Sequence, residues 1–278
     1  MIKRIIHIAD IHIPNSENER PYSKMLEKSA IEIVKACKGF KQEEVRIVLV
    51  GDIFHQKIKA TNEAKTMFHN YLNMLNKIAR TYIIAGNHDM LENNQDRMDS
   101  INPTFEIKGV YPNIIYADRE LGFKSGYIED ENVIFALYSM HDNFMKPNIE
   151  GLKGEKIIDE NTRIIGLYHG DIAGSVTDSG RISEKGIDTD VFKECDCVMA
   201  GHIHKFQEIK KNGVPIVYSG SLFQQDCGEN TTGHGFVVWD LDTMKYHHVD
   251  VENDYKTYKF NINSYEDVTN DIEKLVNL

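Results

Sequence analysis

Short apolar runs separated by polar turns set the pattern of this chain. Five of them, Arg4–Ala9, Val45–Val50, Tyr82–Ala85, Ile164–Tyr168 and Cys197–Ala200, are bounded by turn residues, and they predict strands covered on both faces. Helical periods fill the intervals. Residues 22–37 carry Met25, Leu26, Ile31, Ile33, Val34 and Cys37. Residues 62–79 place Met67, Phe68, Tyr71, Leu72, Leu75, Ile78 and Ala79 at three-to-four spacing, with Thr61 or Asn62 as N-cap. That helix joins the strand ending at Gly51 to the one ending at Gly86, which predicts a βαβ crossover. Asn113–Ala117 and Val133–Tyr138 predict further strands. The chain is therefore expected to be α/β, with helices on the faces of a buried sheet.

The texture changes near residue 206. Phe206–Lys210 and Val214–Tyr218 flank Asn212-Gly213, a hairpin signal. Phe236–Leu241 and Tyr246–Val251 predict a second antiparallel pair. The tail, Tyr265–Leu278, has a short helical period in Val268, Ile272, Leu275 and Val276 and stops on an apolar turn, which predicts a chain trimmed from a longer one. The loops at 142–162 and 171–188 are the expected mobile segments.

Composition narrows the classes. With 278 residues, 41% hydrophobic and 27% charged, the chain is an ordered globular protein of one large domain with room for a small appendage. No apolar run approaches the roughly 20 residues of a membrane span. The first residues form a strand and not a secretory signal, and Cys37, Cys195, Cys197 and Cys227 form no disulfide framework. The expected compartment is the cytoplasm, that of the host cell if a phage encodes the chain. A net charge of -11 argues against gripping nucleic acid by broad counterion release. It leaves room for a nuclease whose acids are neutralised by cations, or whose DNA is held by a more basic partner.

The polar ends of the strands carry the chemistry. They read Asp10-Ile11-His12, Gly51-Asp52-Ile53-Phe54-His55, Gly86-Asn87-His88-Asp89, His169-Gly170 and Gly201-His202-Ile203-His204. Taken singly, Asp-x-His is usually a solvated loop start, Gly-Asp a turn and His-x-His surface decoration. Gly-Asn-His-Asp is more specific, because Gly and Asn tolerate the left-handed backbone of a tight turn. Together, each after a strand, they supply the carboxylates, imidazoles and carboxamide of a two-metal phosphoester hydrolase. Mixed nitrogen and oxygen donors suit Mn, Fe or Zn better than Ca or Mg.

These motifs resemble the DxH, GDxxH, GNHD, lone His and GHxH signature of the calcineurin-like metallophosphoesterase superfamily, over roughly residues 3 to 240. Within it the chain is most similar to the SbcD-type DNA repair nucleases, as found in tailed-phage recombination endonucleases. Three features carry this: the aromatic before His55, the stretch Tyr218-Ser219-Gly220-Ser221 followed by Gly228-Glu229, and the residues after Phe236. Cys227 stands where that family has an aromatic.

The resemblance implies a four-layer α/β/β/α sandwich, with the nuclease domain over 1–240 and the start of a DNA-capping domain over 241–278. It implies one metal on Asp10, His12 and His204, a second on Asn87, His169 and His202, and Asp52 bridging them. The ions would be two Mn(2+), or Mg, Fe or Zn, activating a water that attacks phosphorus. His88 would stabilise the transition-state charge or protonate the leaving oxygen, His55 would orient His88, and Asp89 would support it. The implied activity is 3′-to-5′ exonuclease on duplex ends and endonuclease on single strands, in DNA recombination and double-strand break repair. The implied partners are DNA, an SMC-like ATPase subunit and a second copy of the chain, with the helix at 62–79 one candidate dimer surface. The ATPase-binding helices would follow the capping domain, so weak or no ATPase binding is expected of this chain.

The same metal set would serve a phosphomonoesterase, a cyclic-nucleotide phosphodiesterase or a protein phosphatase. An added domain beyond residue 240 argues against a small-molecule enzyme, and intact ligands argue against a silent scaffold. His7 is expected in the core, His69 on the surface, and His234, His247 and His248 in structural or solvated roles. His141 is a candidate to approach the site. Arg20, Arg97, Lys124, Arg181 and Lys205 are candidate phosphate contacts. Tyr22, Phe54 and Phe223 could stack on bases, though Phe54 reads better as core.

Overall fold

The computed structural model describes residues 1–259 apart from 19, 95, 96, 108, 155–160 and 212. The predicted apolar runs become β1 (Arg4–Ile8), β2 (Val45–Val50), β3 (Arg80–Ile84), β7 (Arg163–His169) and β8 (Cys197–Gly201). Completing the set are β4 (Ile114–Tyr116), β5 (Gly126–Asp130), β6 (Val133–Tyr138), β9 (Gln207–Lys211), β10 (Val214–Tyr218), β11 (Gly235–Asp240) and β12 (Lys245–Asp250). They form two six-stranded sheets, β12-β11-β1-β2-β3-β4 and β5-β6-β7-β8-β10-β9. β1 to β4 run parallel in the first, and β6, β7, β8 and β10 run parallel in the second.

Three apolar layers hold this together. Helices α1 (Tyr22–Ala36) and α2 (Asn62–Ile78) cover the outer face of the first sheet, where Phe68, Leu72 and Leu75 meet Ile6, Ile47 and Leu49. Between the sheets lie Ile5, Val48, Phe135, Leu167, Val237 and Trp239, and Ala117 at the head of the one-turn helix α3 (Ala117–Glu120) joins them. The outer face of the second sheet is covered more thinly, by α4 (Ile149–Gly154) and a short turn bearing Phe192. The order is α/β/β/α, as expected. Each large side chain fully buried there contributes about 1.5–3 kcal/mol.

The predicted crossover is present: β2 and β3 are adjacent and parallel, joined by α2, and Thr61 Oγ1 caps that helix by accepting from Ala64 N. The apolar stripe of α2 is spent on the core. In α1 the buried face is Tyr22, Met25, Leu26, Ser29, Ala30 and Ile33, a clean i, i+3, i+4 row. Ile31 and Val34, expected in that row, point outward and are exposed, because at about 100° per residue they fall about half a turn and a third of a turn from its centre. The hairpin of β9 and β10 forms around Gly213 as expected. The expected domain boundary at 240 falls inside the β11–β12 hairpin, and β12 is the rim of the first sheet. The tail from 260 to 278 lies outside the described residues. Among the described residues no helix is long and apolar enough to cross a membrane.

Two histidines stitch the sheets near their carboxyl ends. His7 of β1 reaches Ala200 O at 3.2 Å, and His169 of β7 donates from Nδ1 to Val50 O at 2.7 Å. At the opposite end Arg46 of β2 grips Asp130 of β5 with two nitrogens, one at 2.9 Å, and Tyr82 adds an O–H bond at 2.7 Å. The two sheets are thus pinned at both ends, and five ligand-bearing turns converge at the carboxyl end.

Candidate metal centre

The backbone at the site is strained. Asp10, His12 and Asp52 have φ of 51°, 51° and 52°, and His202 has 97°. Non-glycine residues held there cost of order 1–3 kcal/mol each, and surrounding structure must enforce them. Neighbouring bonds do this. Asp10 Oδ2 accepts from His202 N at 2.9 Å, Asp10 N donates to Gly51 O at 3.2 Å, and His12 N donates to Asp52 O at 2.9 Å. The motif glycines give the space. A Cβ on Gly86 would lie 2.3 Å from Asp52 Oδ1 and 2.7 Å from His169 Nε2. One on Gly201 would lie 2.1 Å from Val50 O and 2.8 Å from His169 Nδ1.

Asp52 sits at the middle and divides its oxygens. Oδ1 is 3.3 Å from His169 Nε2, and Oδ2 is 3.6 Å from His12 Nε2. On the His12 side, His12 Nε2 and His204 Nε2 face one another at 3.0 Å, each 3.9 Å from Asp10 Oδ1. On the other side, Asn87 Oδ1 is 3.2 Å from His169 Nε2 and 2.7 Å from His202 Nδ1. Asp10, His12 and His204 form one group of donor atoms within 4.8 Å of one another, and Asp52, His169 and His202 form another. The structure therefore brings together all seven residues expected to hold metal.

The charges fit cations. Asp10 and Asp52 are buried. Burial raises the Asp10 carboxyl to about 6. Burial would raise Asp52 too, but the charge and hydrogen bond of His169 outweigh it and hold it well below the carboxylate range. Burial pulls His169 and His204 down, yet both stand at about 9, because Asp52 supports His169 and Glu229 supports His204. His202 falls to about 4 through burial. In the protein alone, protons on two imidazoles thus balance the buried carboxylates. Two ring nitrogens facing at 3.0 Å, beside carboxylates balanced only by protons, are a donor set a divalent cation would satisfy.

The flanking residues differ from expectation in three places. The His88 ring does bond at His55, but to its main-chain carbonyl, Nδ1 to O at 2.7 Å. The two rings lie 6.0 Å apart, so the His55 imidazole does not orient His88; it faces the solvent instead. Asp89 does not support the His88 ring. Its carboxylate accepts from Ile53, Phe54 and Gly86 N at 2.9–3.2 Å and locks two motif turns together. Tyr22 and Phe223 are buried against each other and cannot stack on a base. The His88 ring itself lies 4.8 Å from that of His12, and its main-chain N donates to Asp52 Oδ1 at 2.7 Å.

Two carboxylates beside the ligands have no role assigned from the sequence. Glu229 Oε1 lies 2.6 Å from His204 Nδ1, which aims Nε2 at the site. Asp171 Oδ1 is 3.8 Å from His202 Nε2. The signal for Glu229 was its place in the Gly-Glu stretch; Asp171 left none. Of the remaining candidates, His7 is in the core as expected, while His69 is partly buried with Nδ1 2.6 Å from Tyr111 Oη. His141 lies beside Asp99, at 3.5 Å, away from the metal ligands. His234 holds Ser221 and Asn230, and Arg20 is anchored on Gln224 O and Thr257 Oγ1.

The calcineurin-like phosphoesterase superfamily domain matches residues 4–244. This chain belongs to that superfamily. The converging donors suit the metal-dependent phosphoester hydrolysis that the superfamily implies. Over 257 residues the chain is 33% identical to the uncharacterized protein R555 of Acanthamoeba polyphaga mimivirus, covering 91% of this chain and 18% of that one. Over 259 residues it is 24% identical to the SbcD component of the SbcCD nuclease of Staphylococcus saprophyticus, covering 87% of this chain and 66% of that one. The chain thus spans under a fifth of the first relative and just under two thirds of the second. Among solved structures, GAP50, the anchor in the inner membrane complex of Plasmodium, aligns with a TM-score of 0.47 and 14% identity, over 90% of this chain and 89% of that one. A novel archaeal phosphodiesterase aligns at 0.39 and 14%, over 89% and 99%. At these values the likeness adds nothing to the topology above.

Proposed function

We propose that this chain is a metal-dependent DNA nuclease, acting as a 3′-to-5′ exonuclease on duplex ends and as an endonuclease on single strands. The observation that carries the hydrolytic part is the division of Asp52 between two donor sets, the arrangement a two-ion phosphodiesterase needs. Asp10, His12 and His204 would hold one cation, Asn87, His169 and His202 the other, with Asp52 shared. A mixed set of imidazoles, carboxylates and a carboxamide suits manganese, iron or zinc, and manganese is the ion proposed. When bound, the ion pair lowers the pKa of water toward neutrality and offsets charge on the phosphate.

The chain's own groups do the rest. His88, fixed by its Nδ1 bond to His55 O, keeps a ring nitrogen within 4.8 Å of donor atoms of His12 and Asp52, where the imidazole would hydrogen-bond a phosphoryl oxygen or give its proton to the leaving oxygen. Glu229 sets the ring direction of His204, and Asn87 Oδ1, 2.7 Å from Nδ1, that of His202. His55 acts on His88 through its carbonyl alone. The likeness to a nuclease component and the Tyr218-Ser219-Gly220-Ser221 stretch support DNA as substrate over small esters. Work beside an SMC-like ATPase, and as a homodimer through a surface other than the buried stripe of α2, in recombination and break repair belongs to the same proposal.

The test is degradation of end-labelled single- and double-stranded DNA with Mn(2+), alongside bis-para-nitrophenyl phosphate, with His88→Ala as control. Loss of DNA ends in the wild type and not in the variant supports the proposal. Hydrolysis of the small ester with DNA intact replaces it with a small-substrate phosphodiesterase.

A further inference from the structure

Two cavities open on either side of the metal centre, and they differ in charge. On the His202–His204 side lies one of about 290 Å³, walled by three carboxylates, Asp178, Asp226 and Glu229, with no lysine or arginine in its described lining. On the His12 side lies one of about 360 Å³, lined by Asn15, Ser16, Arg20, His55, Gln56 and Gln225. Its described lining holds no carboxylate, and its one fixed charge is positive. The volume falls within the range of small-ligand pockets.

The amide groups of the second cavity are pre-set. Asn15 donates from Nδ2 to Gln56 Oε1 at 2.7 Å, and its Oδ1 accepts from Thr61 N at 3.2 Å. That fixes Gln56 with its NH2 outward. Gln225 turns its NH2 inward to Phe223 O at 2.8 Å, which leaves Oε1 as an acceptor. Arg20 is held by Gln224 O and by Thr257 Oγ1 at 2.6 Å, so its charge stays in the wall. A donor, an acceptor and a hydroxyl in a neutral-to-positive recess match the sugar and base edges of a nucleoside. Asp178 and Asp226 opposite repel a continuing phosphate chain, while Glu229 is paired with His204.

We propose that the cavity between His12 and Gln225 is a nucleoside subsite, binding the sugar and base attached to the scissile phosphate, with His55 at its mouth and Gln56 and Gln225 reading the base. The direction it assigns to the substrate rests on the phosphodiesterase reading above; occupancy by a nucleoside monophosphate does not.

Two measurements test it. The first is binding of thymidine 5′-monophosphate to the metal-free protein by calorimetry, which does not depend on turnover. The second is the ratio of kcat/KM for the para-nitrophenyl ester of thymidine 5′-monophosphate to that for bis-para-nitrophenyl phosphate. Gln56→Ala with Gln225→Ala is expected to weaken binding and lower the ratio about tenfold. Gln56→Glu, at an exposed position with its partner Asn15 retained, is expected to do the same by charge, without endangering the fold. Asp178→Asn is expected to move neither. Unchanged binding and ratio in the glutamine variants, or an effect confined to Asp178→Asn, overturns the subsite. Nucleotide binding intact with neither ester hydrolysed overturns the enzymatic reading and keeps the subsite.

Discussion

Glu229 is the residue whose loss tests the metal centre most informatively without touching a donor atom. Its carboxylate is buried, receives His204 Nδ1 at 2.6 Å, and accepts from Gln225 N at 2.8 Å. A carboxylate behind a ligating imidazole fixes the tautomer and direction of the ring and raises its basicity. Removing such a group costs about 10–100-fold in metal affinity, or about 1.4–2.8 kcal/mol. Glu229→Gln keeps the shape and an acceptor for His204 and loses the charge, so it belongs at the lower end, near tenfold. Glu229→Ala also frees the ring and leaves Gln225 N without its acceptor, so it belongs near a hundredfold, with a lower melting temperature. Calorimetric titration of Mn(2+) into the metal-free proteins reads both, and circular dichroism reads the stability. If Glu229→Ala binds Mn(2+) as tightly as the wild type, His204 is not oriented as argued and the assignment of the first ion is wrong.

Two further outcomes follow from the geometry around that centre. Burial pulls His7 down to about 3, below its unfolded value near 6.5, so below pH 6.5 the unfolded chain binds the extra proton. Stability is therefore expected to fall as pH drops from about 6.5 toward 3, and His7→Gln, which can still donate to Ala200 O, should flatten that limb in urea titrations at several pH values. Gly201→Ala places a Cβ 2.1 Å from Val50 O and 2.8 Å from His169 Nδ1, breaking the 2.7 Å bond between them. It should destabilise the protein by about 1–3 kcal/mol and weaken Mn(2+) binding, and a variant with normal stability and affinity would show that the close approach is unimportant.

The site was more legible in the sequence than the fold. Ligands on strand ends need small residues where chains crowd, so Gly51, Gly86 and Gly201 stand beside Asp52, Asn87 and His202, and a local pattern announces a distant convergence. Glu229 acts through His204 across a loop, so it has no periodicity to betray it. His55 was misread because its contribution is a carbonyl, which the side-chain alphabet does not encode. In the fold, α2 was plain because its stripe is regular, whereas Ile31 and Val34 were misplaced because apolar residues also occur on exposed faces. β5, whose residues are half polar, pairs with β6 at a sheet edge and was not foreseen.

Asp52 is the residue on which the whole account depends, since one carboxylate is asked to hold two cations together. The direct measurement is Mn(2+) stoichiometry by equilibrium dialysis, comparing the wild type with Asp52→Asn. The account predicts two ions per chain in the wild type and loss of at least one in the variant, with the fold retained by circular dichroism. One ion per chain in the wild type, or two in Asp52→Asn at unchanged affinity, would contradict it.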